Sequence, residues 1–228
     1  MRSHILPKAA TIELRRGAPN AIQGSRSHSG VRKTQGGTFD DDLLCHHHES
    51  ITSKLDTYGI AFIRRAKAEF RPSSEESFLV SNPRPDDLSR FVASIIWREV
   101  KSTGELSLGP FEGPATKHIF EREPLDWPMI ISRDFFTLGG DHPIEFNTHP
   151  HRIKFLGKNG WKLTILGFSF WVIVDKRGLQ GLPTEMRLDR SNPVRVIVGH
   201  KQDYRDVGTL KPILKRMLEK RENNGRHA

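Results

Sequence analysis

The chain has 228 residues and a formal net charge of +9, with 36% hydrophobic and 28% charged residues. Its one cysteine, Cys45, excludes an intrachain disulfide framework and suits a reducing compartment. No apolar run approaches the roughly 20 residues of a membrane span. The opening "MRSHILPKAATIELRR" has no apolar stretch of the kind a secretory signal needs, so the expectation is a cytoplasmic protein that does not engage a membrane.

In chain order, "GSRSHSGVRKTQGG" (24–37) is rich in Gly and Ser without an apolar period and predicts a loop. From Ser50 to Phe70, Ile51, Leu55, Tyr58 and Phe62 recur at spacings of three and four. They predict an amphipathic helix, weakened by Gly59 and stopped by "RPSS". "RPDDLSRFVASIIWREVKS" predicts a second helix, capped by Asp86 or Asp87, with Leu88, Phe91, Val92, Ile95 and Ile96 as its buried face. "GPFEGPATKHIFE" predicts a short helix behind Pro114.

After Trp127, "WPMIISRDFF", "HRIKFLG", "WKLTILGFSFWVIVD" and "VRVIVGHK" are rich in β-branched and aromatic residues and predict about four strands. "GKNG" serves as a hairpin turn. "LKPILKRMLEKR" predicts a closing basic helix. Helices first and strands later point to an α+β fold with a mostly antiparallel sheet and a C-terminal helix. The expected division is 1–70 as a loop-rich module and 71–228 as an α+β body.

A charge of +9 attracts polyanions, nucleic acid above all. Residues 1–37 hold seven Lys/Arg against one acidic residue. Arg15, Arg16, Arg32 and Lys33 are the expected nucleic-acid contacts there. Farther on, Arg133, Arg152, Lys154 and Lys162 suit either a nucleic-acid groove or a solvated sheet face. Trp97, Trp161, Phe168, Phe170 and Trp171 are expected in the core.

"LLCHHHES" (43–50) packs Cys45, His46, His47, His48 and Glu49 into one turn of chain. A cysteine and a residue three later, at a turn leading into a helix, can chelate one tetrahedral zinc. The same residues also suit the solvated first turn of a helix, with Glu49 at the positive end of the dipole. Asp40, Asp41 and Asp42 suit a cation site or a solvated turn. "GGDHPIEFNTHPHR" (139–152), with Asp141, His142, Glu145, His149 and His151, suits a second site or an ordered loop.

Taken together, "SHILP" (Ser3–Pro7) and "DDDLLCHHHES" resemble the two halves of an HNH-type endonuclease module, the ββα-metal or treble-clef fold. More narrowly the chain resembles bacterial and phage proteins carrying "SHIIP…LLCxxCE" followed by a helix with "DxYa". The matches here are "SHILP", "LLCHHHE" and "KLDTYGIAF", within residues 1–70.

The resemblance implies a small treble-clef-like N-terminal module in which Cys45 and His48 stand for the zinc-binding CxxC. His46, His47 or His28 would complete a structural zinc. Glu49 would face a catalytic Mg²⁺ or Mn²⁺, and His4 would be the general base. Ser3 stands where the family carries an aspartate. The implied function is nucleic-acid binding, DNA favoured over RNA, with metal-dependent phosphodiester cleavage. The rival expectation is a non-enzymatic protein in which the treble-clef remnant is structural and the sheet region binds a protein partner.

Overall fold

A computed structural model describes residues 3–15, 21–24, 31–34, 36–71, 76–135, 145–179 and 181–200. The chain opens with β1 (Ser3–His4), α1 (Lys8–Arg15), β2 (Ala21–Gly24), β3 (Val31–Thr34) and β4 (Phe39–Asp40). β1 pairs antiparallel with β4, placing Ser3 opposite Asp40 and His4 opposite Phe39. β2 pairs with β3 in a second two-stranded ribbon. Part of the stretch predicted as a loop is therefore strand, consistent with the β-branched Val31 and Thr34 that bound it.

α2 (His46–Glu69) begins four residues before the predicted start, with Cys45 as its extended N-cap. The polar "HHHE" run carries no apolar period, so periodicity alone placed the start too late. Gly59 has a packing reason: a Cβ there would lie 2.5 Å from the Phe91 ring. The missing side chain is what lets α2 approach α3 (Pro85–Thr103). The five residues predicted for the apolar face of α3 are all fully buried. Its N-cap, however, is Arg84. Pro85 at the first helical position, with its preset φ, starts the helix, and Asp86 and Asp87 fall in the first turn, where the dipole favours them. α4 (Glu112–Glu121) takes Pro114 into its own first turn, where a missing N–H costs no helical hydrogen bond.

The main sheet adds β5 (Ser77–Val80), β6 (Met129–Phe135), β7 (Thr148–Phe155), β8 (Lys158–Ile165), β9 (Phe168–Ile173) and β10 (Val194–His200). Their order is β5-β10-β6-β9-β8-β7. Four of the five pairings are antiparallel; β10 with β6 is parallel. The α+β class and the mostly antiparallel sheet are as predicted, with six strands in place of about four. "WKLTILGFSFWVIVD" is two strands, reversed at Leu166–Gly167, where φ is +52° and +78°. The neighbouring reversal is at Leu156–Gly157, with φ of +47° and +73°, and Lys158–Gly160 already belong to β8. Both reversals have the paired positive φ of a two-residue hairpin turn. The predicted C-terminal helix lies outside the described residues.

One cluster of buried side chains runs from Leu6, Ala10 and Leu44 through Leu55, Phe62, Phe91 and Ile95 to Phe168, Phe170 and Val196. The aromatic residues predicted for the core are buried there, except that Trp171 is half-buried and donates its indole N–H to Ser132 Oγ at 3.0 Å. Two of the basic residues assigned to a groove or a solvated face are in the interior. Arg133 is 2% exposed, donates to the Leu166 carbonyl at 2.8 Å and stacks over Phe168. Lys162 is 4% exposed and lies over the Trp171 ring. Long aliphatic stems let both bury among aromatic rings. Among the described residues, no helix is long and apolar enough to cross a membrane.

Candidate functional site

The two ends of the N-terminal segment meet at one corner. Ile5 and Leu6 anchor β1 in the core, and Leu44 anchors the approach to α2. Between these anchors the fully buried Ser3 donates its hydroxyl to Glu49 Oε2 at 2.7 Å, across 46 residues of sequence. His4, next along the strand, is half-buried, with its ring 6.2 Å from that of Phe39. "SHILP" and the opening of the "CHHHE" helix, distant in sequence, thus form one site.

Burial lowers the His4 pKa below its ordinary value, and Lys8 and Arg98 push the same way, against the pull of Glu49 and Asp56. The neutral ring that results can accept a proton. Arg98, itself 1% exposed, donates to the His4 carbonyl oxygen at 2.6 Å and grips Asp56 with two bonds of 2.9 and 2.7 Å. Burial pushes the Asp56 carboxyl upward, opposed by the Arg98 guanidinium. Asp56 sits in the quoted "KLDTY" and was within reach of sequence reasoning. Arg98 was not, because "WREV" reads as the end of an apolar helix.

Cys45 Sγ and His48 Nδ1 are 3.4 Å apart. Two ligands at ordinary zinc bond lengths and a tetrahedral angle would stand about 3.5 Å apart, so the pair fits two corners of a zinc site. Among the described residues it does not close one. His46 and His47 are exposed, His48 packs against Phe120 at 4.3 Å between ring centres, and His28 lies outside the described residues. Among the described residues no three His, Cys, Asp or Glu side chains converge. Glu49 and the Ser3 hydroxyl bring a carboxylate and a neutral oxygen together, the kinds of oxygen that hard divalent cations take. Asp40 accepts the Asp42 N–H at 3.0 Å, as a tight turn would arrange.

Among the described residues, the histidine-rich 139–152 stretch does not converge on one point. Asp141 and His142 lie outside the described residues. Glu145 pairs with Lys67, His149 with Glu99, and His151 with the carbonyl of His149. Of the expected nucleic-acid contacts, Arg15 is half-exposed in the last turn of α1, and Arg16 lies outside the described residues. Arg32 and Lys33 are on β3, opposite Gln23 and Ile22.

No family model, curated protein or solved structure matches the chain.

Proposed function

We propose that the chain binds nucleic acid, DNA in preference to RNA, and cuts its phosphodiester backbone with the help of a divalent metal. The observation that carries this reading is the hydrogen bond from Ser3 to Glu49, which brings the His4 end of β1 to the start of α2. The net charge of +9 supports a polyanionic partner.

In this reading Glu49 would hold Mg²⁺ or Mn²⁺ beside the scissile phosphate. The ion supplies stabilisation of the charge that develops there. His4 takes a proton from the attacking water; burial keeps its ring neutral and so able to do so. Arg98 holds the backbone of His4 in place from behind, fixed in turn by Asp56. Cys45 and His48 would be two ligands of a structural zinc. The binding half of the reading is tested by titrating a labelled DNA duplex at several salt concentrations. The affinity should fall steeply as salt rises; binding no tighter than that of a neutral protein would sink it.

One observation favours a second reading. His48 is held by Cys45 and packs against Phe120 with the rings tilted at 46°, an arrangement that suits a structural helix start. A non-enzymatic protein that binds a protein partner would need no more than this.

A further inference from the structure

A second histidine reaches the same strip of chain from the main sheet. His149 of β7 meets Glu99 of α3 through Nδ1 at 2.7 Å, and its Nε2 lies 3.4 Å from Thr38 Oγ1. Thr38 is bound to the SHILP segment, its carbonyl accepting the Ile5 N–H at 3.1 Å. Two residues earlier, a Cβ placed on Gly36 would lie 3.7 Å from His4 Nε2. Two residues of chain span at most about 7 Å, so the two imidazoles flank one short stretch of backbone. Glu99 also neighbours Arg98, which holds His4.

We propose that His149 is a phosphate-contacting residue of the nucleic-acid site, with the Thr38 hydroxyl as a second contact and Glu99 as the positioning residue of its ring. This rests on the nucleic-acid reading above and extends it to a residue of the main sheet. The contact of Nδ1 with the Glu99 carboxylate fixes the orientation of the ring. Glu99 is 11% exposed and His149 29%, so the carboxylate lies behind and the ring reaches toward solvent. A phosphate oxygen would be held between Nε2 of the ring and the Thr38 hydroxyl that now faces it at 3.4 Å. A hydroxyl and an imidazole side by side are ordinary partners for backbone phosphate, which positions the strand without reading its sequence.

The test uses the full chain and a short DNA duplex. In the wild type, the ring Cε1–H resonance of His149 should move saturably as duplex is added. Binding should weaken about tenfold in His149→Ala and about threefold in Glu99→Gln and Thr38→Val, as for loss of a charge-assisted hydrogen bond or its support. The wild-type titration stands even if a variant fails to fold. Duplex binding without movement of that resonance, and with unchanged affinity in Thr38→Val, would overturn the assignment and leave the nucleic-acid reading intact. A wild type that binds no duplex would overturn both.

Discussion

Arg98 donates to the carbonyl oxygen of His4 at 2.6 Å while making two bonds to Asp56, so the third helix braces the strand that carries the proposed base. Removing one partner of such a pair leaves a buried charge uncompensated. Arg98→Met should lower the unfolding free energy by about 3 kcal/mol, measured by urea denaturation. In the same variant His4 should lose its fixed backbone position, so any cleavage activity should fall further than the folded fraction does. A variant as stable as the wild type would show that the brace is dispensable.

Ser3 is fully buried against Glu49, and Ser3→Asp would place two carboxylates about 3 Å apart. Without metal the variant should melt about 5 °C below the wild type. Millimolar Mg²⁺ or Mn²⁺, as an order of magnitude, should recover most of that loss by bridging the two carboxylates. Thermal melts with and without the ion read this directly. Failure of the ion to stabilise the variant would mean the corner is not shaped for a cation.

Gly59→Ala tests the approach of α2 to α3. In an exposed helix the change would stabilise by up to about 1 kcal/mol. Here the added methyl meets the Phe91 ring at 2.5 Å, and overpacking of about 1–3 kcal/mol should win. Shrinking the neighbour in Gly59→Ala/Phe91→Leu should restore part of the loss. A single variant more stable than the wild type would contradict the packing argument.

His118 gives the fold a pH dependence. Its Nδ1–H donates to the Glu123 carbonyl at 2.7 Å, and Nε2 accepts from Ser89 Oγ at 2.9 Å, a neutral ring with both nitrogens satisfied. Burial lowers its pKa below 6.5, opposed by the bond to Glu123. The unfolded chain therefore binds more protons in this range. Stability should be full above 6.5 and fall as pH drops through that value toward the lowered folded pKa. His4, also lowered, adds in the same sense. Urea midpoints from about pH 8 to about pH 5 should decline, and the decline should shrink in His118→Gln. Equal declines in both proteins would assign the effect elsewhere.

How much of this was readable beforehand differs from element to element. The buried face of α3 was legible because Leu88, Phe91, Val92, Ile95 and Ile96 follow the helical period. β5 was not, because "SFLV" is four residues long and carries too little pattern to stand out. The β8–β9 hairpin was hidden because both strands are buried on both faces and read as one apolar run. At the site, His4 and Glu49 were legible through local motifs. The support from Arg98 and the Glu99–His149 contact join residues 94 and 50 positions apart, and nothing in the local sequence at either end marks them.

The most direct test of the account is a plasmid-nicking assay with Mg²⁺ or Mn²⁺, comparing wild type, His4→Ala and Glu49→Ala at equal folded concentration. Loss of the general base should slow cleavage about a hundredfold or more, and loss of the metal carboxylate should do the same and raise the metal concentration needed. Nicking by the wild type that vanishes in both variants, with the fold retained, is the predicted result. Wild type that binds DNA but cuts with neither ion, or His4→Ala that cuts as fast as wild type, would contradict the assignment of chemistry to this corner.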